Sequence, residues 1–215
     1  MFSANAFAVD FELSGGINKY KRAQNGTWYQ EAFPYELDLK TATWGFGVSH
    51  KFNGMPRLRL EYVHLGQASA DAYAVPSDYN YIHNTNTCNV KCLPLAHFQS
   101  KGDVQGVALT VAPEFRFKHV SLFVEVGIYV FRPRYWAVVN DIMYGSPEGD
   151  LTGVEFVKEF TIRHDSNIQS SWVIGAGVRY KNVDFLFRIY DVGANDDDVP
   201  AVYRGASTAT LRVHF

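Results

Sequence analysis

The sequence predicts an all-β chain, an eight-stranded antiparallel up-and-down transmembrane β-barrel with short periplasmic turns and four long extracellular loops. Three observations predict it. Eight segments alternate apolar and polar residues with period two. Their connections alternate between tight and long. The polar rows balance acids against bases while the apolar rows carry almost no charge. No run of about 18 apolar residues exists, which excludes a transmembrane helix but not a strand that shows lipid only every second residue.

Each segment shows the alternation in its own residues. The first sets Phe7, Val9, Phe11, Leu13 and Ile17 against Asp10, Glu12 and Ser14. The second sets Trp44, Phe46, Val48 and Phe52 against Thr43, Gly45, Gly47, Ser49 and Lys51, and ends in the turn formers Asn53-Gly54-Met55-Pro56. The third places Leu58, Leu60, Tyr62 and Leu65 on one side and Arg59 and Glu61 on the other, with its register open after Tyr62. In the fourth, Val107, Leu109, Val111, Phe115 and Phe117 oppose Gly106, Ala108, Thr110, Glu114 and Arg116. Pro113 lacks a ladder donor and predicts a bulge or edge there.

After the turn Lys118-His119, the fifth segment alternates Leu122, Val124, Val126, Ile128 and Val130 with Phe123, Glu125, Gly127 and Tyr129. The sixth alternates Trp172, Ile174, Ala176, Val178 and Tyr180 with Gly175, Gly177, Arg179 and Lys181, and turns near Lys181-Asn182. The seventh sets Val183, Phe185, Phe187 and Ile189 against Asp184, Leu186, Arg188 and Tyr190. The last sets Tyr203, Ala209, Leu211, Val213 and Phe215 against Thr208, Thr210, Arg212 and His214. Long loops are expected near 21–36, 66–103, 132–169 and 191–202.

The polar face is assigned to the inside. Asp10, Glu12, Glu61, Glu114, Glu125 and Asp184 face Lys51, Arg59, Arg116, Arg179, Arg188 and Arg212 in number. A solvated surface needs no such balance, whereas an unpaired charge in a narrow lumen is costly. The expected lumen ion-pair network therefore includes Glu12, Lys51, Arg59, Glu61, Glu114, Arg116, Glu125, Arg179, Arg188 and Arg212. Trp44, Tyr62, Trp172, Tyr180 and Tyr203 are expected in interfacial aromatic girdles. The opposite polarity would describe a lipocalin-like soluble barrel or a sandwich.

The 215 residues suit one domain, 1–215, and a net charge of −2 gives no basic surface for nucleic acid. Met1-Phe2-Ser3-Ala4 lacks a basic start and an apolar core, so the chain reads as a mature exported sequence given a start Met. Cys88 and Cys92 in Cys-Asn-Val-Lys-Cys are expected to close a small disulfide loop in an oxidising compartment, since a lone CxxxC is a poor zinc signal.

Thr208-Ala209-Thr210-Leu211-Arg212-Val213-His214-Phe215 resembles the C-terminal strand of bacterial outer-membrane proteins. The resemblance implies that Leu211, Val213 and Phe215 form the signal read by the barrel-assembly machinery. With the eight-strand pattern, the chain looks like the small OmpA/OmpX/NspA class of barrels, which implies the outer membrane of a Gram-negative bacterium and contact with its lipid and lipopolysaccharide. Phe123-Val124-Glu125-Val126-Gly127-Ile128 and Ile174-Gly175-Ala176-Gly177-Val178 are similar to later strands of the PagL lipid A deacylase family. That family carries a Ser–His–acid site around His-x-Ser-Asn. The alignment places Tyr190-Asp191-Val192-Gly193 there, so the catalytic His and Ser are missing, and Val178 lies near the acid's place.

Other candidates have plainer readings beside them. His164 and Ser166 would share a strand face and could support Ser–His chemistry with an acid, but Arg163-His164-Asp165-Ser166-Asn167 reads first as a polar loop end. Asp196-Asp197-Asp198 could attract Ca²⁺ but reads as a solvated tip. The 66–103 loop holds Tyr73, Tyr79, Tyr81 and His83, residues suited to recognition of an extracellular ligand or to plain loop packing. No nucleotide or zinc-enzyme motif is present, and no cofactor or metal is expected. The expected function is a non-enzymatic barrel presenting loops for binding, adhesion or envelope integrity. The alternatives are an outer-leaflet lipid A-modifying hydrolase and a small channel.

Overall fold

The computed structural model describes residues 9–22, 36–52, 55–74, 93–145, 151–155, 160–165, 167–193 and 203–215. These form strands and no helix. In order they are β1 (Asp10–Arg22), β2 (Glu36–Asp38), β3 (Lys40–Lys51), β4 (Arg57–Ala74), β5 (Leu93–Ala112) and β6 (Glu114–Phe117). There follow β7 (Val120–Gly145), β8 (Leu151–Glu155), β9 (Phe160–Asp165), β10 (Gln169–Tyr180), β11 (Val183–Gly193) and β12 (Tyr203–His214).

Eight of them close into a ring. The antiparallel order is β12, β1, β3, β4, β5, β7, β10, β11, and β11 pairs back onto β12. β2 pairs with β4 beyond β3, β6 continues the β5 wall past Pro113, and β8 and β9 pair with the outer part of β7. Closure leaves no ladder edge in the ring, which is the condition for sheet to cross hydrocarbon. The strand break at Pro113 follows from its missing donor.

The wall has reversed polarity. Phe11, Ile17, Val126, Ile128, Phe185 and Leu211 point outward and are 53–69% exposed, while Glu12, Arg59, Glu125, Asp184 and Arg212 are at most 2% exposed inside. A continuous apolar exterior of this kind would drive association in water and is stable facing lipid. Trp44, Trp172 and Tyr180 lie outside as aromatic anchors. Trp44 stacks on His64 and tilts against Tyr62, whose hydroxyl donates to Gln105 Oε1 at 2.9 Å.

Two glycines shift the alternation. Gly66 (φ +82) and Gly205 (φ +70) occupy left-handed backbone at register shifts in β4 and near the start of β12. Each inserts a residue, so inward parity changes across it. In β4 the inward residues are odd-numbered through Leu65 and even-numbered from Ala68. In β12 they are even-numbered from Ala206, but Tyr203 also points in. Two expectations are corrected: Tyr203 is fully buried in the lumen because Gly205 reverses the parity of β12, and Leu65, which precedes Gly66, is fully buried there because it keeps the odd-numbered parity of Arg59 and Glu61.

The long connections are also shorter than the hydropathy pattern suggests. β4 runs to Ala74 and β5 starts at Leu93, inside the expected 66–103 loop. β7 has 26 residues where about 9–11 cross the hydrocarbon, so much of it stands beyond the lipid. Its ladder with β5 continues to Leu93↔Gly145, and that of β4 with β5 to Ala74↔Ala96. With β1, β11 and β12 only 13, 11 and 12 residues long, the wall rises as a crest on one side. At the opposite end Lys118 and Lys181, with φ of 21° and 55°, make the tight turns.

Close packing inside the wall yields a test. A Cβ on Gly177 would run into the Phe123 ring and lie 2.6 Å from the Phe185 carbonyl oxygen, whereas one on lipid-facing Gly15 would meet nothing within 4 Å. Gly177→Val should therefore destabilise the refolded barrel by about 1–3 kcal/mol in urea titrations in micelles. Gly15→Val should cost less than half as much.

Candidate functional site

The lumen contains two layers. The layer nearer the short turns is ionic. Glu125 on β7 receives Arg59 Nη1 from β4, Arg212 Nη1 from β12 at 2.9 Å and Arg188 Nε from β11 at 2.8 Å. Glu61 Oε2 accepts from Arg188 Nη1 at 2.6 Å and Arg212 Nη2 at 3.0 Å, and Ser14 donates to its other oxygen at 2.7 Å. Asp184 accepts from Arg179 at 2.6 and 2.8 Å and from Arg59 at 3.3 Å. Glu12 lies 3.1 Å from Arg59 Nε, and the His214 ring bridges Glu12 and Asp184 at 3.1 and 2.9 Å. Planar guanidinium forks suit such sharing, because each can serve several carboxylates at once.

Nearer the mouth, Glu114 gathers Lys51 at 2.5 Å, Arg57 at 3.2 Å and Arg179 at 2.9 Å. Arg57 also pairs with Asp10 and donates to Ser49 Oγ at 2.9 Å. The Arg59 and Arg179 guanidiniums both lie over the Phe123 ring, 5.3 and 5.8 Å from its centroid.

The second layer, towards the crest, is aromatic and aliphatic. Tyr203 stacks on Tyr20 with centroids 4.3 Å apart and on Tyr135 at 5.6 Å, while Tyr129 meets Tyr190 at 5.0 Å. Their hydroxyls reach polar partners: Tyr20 and Tyr129 donate to the carbonyls of Gly66 and Val63 at 2.8 and 3.0 Å, and Arg188 donates to the Tyr190 oxygen at 3.2 Å. Leu65, Val104, Val173 and Val192 are buried among them. A Cβ on Gly102 would come within 2.9 Å of the Tyr203 ring, so the bare glycine lets that ring lie against the wall. The described lumen is thus filled by ion pairs below and by tyrosines and aliphatic side chains above.

The residues singled out in the sequence fall in three groups. Glu12, Arg59, Glu61, Glu125, Arg188 and Arg212 meet in the centre, and Lys51, Glu114 and Arg179 meet at the mouth. Arg116 does not join them, which corrects its place in the network. It is exposed, because β6 pairs only with β7 among the described residues and overhangs the end of the lumen. Arg57 takes that role instead. It shares the inward parity of Arg59 and Glu61, so extending the third segment by one residue beyond Leu58 finds it. His214 stands in the expected polar row and belongs to the network by contact.

Leu211 and Val213 face outward on β12, whose ladder with β1 closes the ring, and Phe215 N donates to the Phe11 carbonyl at 2.9 Å. Cys88, Cys92, Ser166, Tyr79, Tyr81, His83 and Asp196-Asp197-Asp198 lie outside the described residues. The backbone of His164 lies in β9, opposite Tyr135. Tyr190 and Val192, at the positions aligned with the deacylase catalytic pair, are buried in the lumen, away from lipid. Among the described residues no group of three or more His, Cys, Asp and Glu could hold a metal ion.

A closed ring with an apolar exterior and a self-neutralised interior defines an outer-membrane-type β-barrel. No protein-family model matches the chain, and no curated protein matches it in sequence. Among solved structures it is similar to Neisserial surface protein A, at 13% identity and a TM-score of 0.42, over 96% of this chain and 97% of that one. It is also similar to Ail, the attachment invasion locus protein of Yersinia pestis, in complex with the heparin analogue sucrose octasulfate, at 12% identity and a TM-score of 0.35, over 96% and 99% of the two chains. For Ail in a phospholipid bilayer nanodisc the values are 14% and 0.34, over 97% and 100%.

Arg212 and Arg116 separate a buried pairing role from an exposed one. Arg212→Met should lower stability by about 3–5 kcal/mol, because Glu61 and Glu125 each lose a buried partner. Arg116→Met should stay within about 0.5 kcal/mol of the parent. Urea unfolding in micelles measures both.

Proposed function

We propose that the chain is a non-catalytic barrel of the Gram-negative outer membrane that holds a crest of paired strands above the lipid to bind an extracellular ligand or surface. The carrying observation is the length of β7, β5 and β4, whose ladders continue past the span needed for hydrocarbon. Extra strand length outside the membrane adds nothing to anchoring. It gives the connection between Ala74 and Leu93 a rigid base, and rigid bases favour binding loops. The sequence of that connection contains Tyr79, Tyr81 and His83, side chains that give contact area at low entropic cost.

The filled lumen argues against conduction: eight strands leave room only for side chains, and here those side chains neutralise or stack on one another. The deacylase reading lacks support from the aligned positions, since Tyr190 and Val192 face away from lipid. In this proposal the outward wall contacts lipid and lipopolysaccharide, and Leu211, Val213 and Phe215 present the strand read by the assembly machinery. Cys88 and Cys92 would form a disulfide within that connection.

The test is surface display on a bacterium lacking adhesins, with the parent chain compared to one in which residues 75–92 are replaced by Asn-Gly. The parent should increase attachment to cultured epithelial cells, and the shortened barrel should lose at least nine-tenths of that gain while still migrating as a folded, heat-modifiable band. Attachment equal to the empty vector for the parent would contradict the binding role. Acyl loss from lipid A that His164→Ala abolishes would establish the enzyme instead, and stable single-channel steps would establish a pore.

A further inference from the structure

At the short-turn end, below the ionic layer, the barrel opens into a polar cavity of about 310 Å³. Its floor is already neutralised. Arg57 is held by Asp10 and Glu114, and Arg179 by Glu114 and Asp184. Its rim is not. Arg116 and His119 come from the β6–β7 hairpin and Lys181 from the β10–β11 hairpin. The β7–β10 ladder, ending at Val120↔Tyr180, sets these two turns side by side.

Neither Arg116 nor Lys181 has a carboxylate partner among the described residues; the Lys181 ammonium lies over the outward Tyr180 ring, 5.4 Å from its centroid. The lining holds four Arg and Lys side chains, Arg57, Arg116, Arg179 and Lys181, against two carboxylate side chains, Asp10 and Glu114. Asp184 holds Arg179 from outside the lining and Lys51 shares Glu114, so Lys51, Arg57 and Arg179 balance Asp10, Glu114 and Asp184. Arg116 and Lys181 remain, and a carboxylate on Phe215 still leaves one positive charge in excess. Ser121 and Asn182 add neutral hydrogen-bond donors to the same wall.

We propose that this bowl binds a small oxyanion, a carboxylate or phosphate group, with Arg116 and Lys181 supplying the charge. A concave site with unspent cations over a neutral floor concentrates anions, and a guanidinium fork matches two oxygens of either group. The cationic excess disfavours metal ions, and the polar lining disfavours an apolar guest. The packed layers above close the lumen, so the anion enters from the turn side. Under the outer-membrane reading that side is the periplasm, where cell-wall peptides offer carboxylates and free phosphate is present.

The experiment uses the full chain refolded in zwitterionic micelles at low salt, with amide shifts of Ser121, Lys181 and Asn182 followed during titration. The probes are inorganic phosphate and acetyl-D-alanyl-D-alanine. At least one should give saturable shifts at both turns, and Arg116→Gln with Lys181→Gln should weaken it tenfold or more without changing the unfolding midpoint. Saturation by phosphate alone assigns the site to phosphate; saturation by the dipeptide alone assigns it to a carboxylate-bearing peptide. Shifts that fail to saturate with either probe, or equal affinity in the double variant, would overturn the proposal. Labelling of these turns from outside intact cells would refute the assumed orientation while leaving the micelle result standing.

Discussion

Three arginines from three walls converge on one carboxylate, Glu125, and much of the barrel depends on that convergence. Lipid outside requires an apolar exterior, and strand alternation then forces every second residue inward. In a ring of eight strands the inward residues meet at the axis and have little water to share. Charge there is stable only when opposite walls supply complementary groups at hydrogen-bond distance. Arg59 on β4 reaches Asp184 on β11, and Arg212 on β12 reaches Glu61 on β4, so the pairs tie strands distant in sequence into one shape. Register is fixed with them, since a one-residue slip would turn Glu125 to lipid and Val126 to the lumen.

Two kinds of lumen filling divide the barrel by height. The ionic layer holds the walls by directed bonds, whereas the tyrosine layer packs stacked rings around aliphatic side chains, and at the Gly66 bulge the Tyr20 hydroxyl and the Asn18 amide donate to the carbonyls of Gly66 and Leu65. The bulges at Gly66 and Gly205 lie beside this upper layer; the second turns Tyr203 into it, while Leu65 enters it on the parity of Arg59 and Glu61. Above them the ring gives way to the crest of β4, β5 and β7. A filled core thus lies beneath a raised sheet.

Much of this was legible from alternation alone. Eight segments, the tight turns at Lys118-His119 and Lys181-Asn182, and the inward Glu12, Arg59, Glu61, Glu125, Arg188 and Arg212 follow from period two and charge balance. Tyr203 was misplaced because one inserted residue reverses parity, and a lone glycine does not disclose a left-handed conformation in sequence; Leu65 was grouped with the even-numbered Leu58, Leu60 and Tyr62, although strict period two puts it with Arg59 and Glu61. Arg116 was misplaced for a different reason. Its parity is right, but among the described residues β6 has no second neighbour in the wall, and overhang depends on stagger between strands rather than on pattern. The crest was read as loop because its residues, such as Ser100-Lys101-Gly102-Asp103, are polar on both faces once the strand leaves the lipid.

The charged interior follows from which face of the wall meets lipid. Single nitroxide labels at Phe11, Ile128 and Phe185, in a cysteine-free background reconstituted in bilayers, report this through collision with oxygen and with a water-soluble nickel chelate. Reversed polarity predicts strong relaxation by oxygen and almost none by nickel at all three positions, while a label at exposed His119 responds to nickel. Nickel relaxation at Phe11, Ile128 and Phe185 comparable to that at His119 would contradict the membrane wall and, with it, the reason for a charged interior.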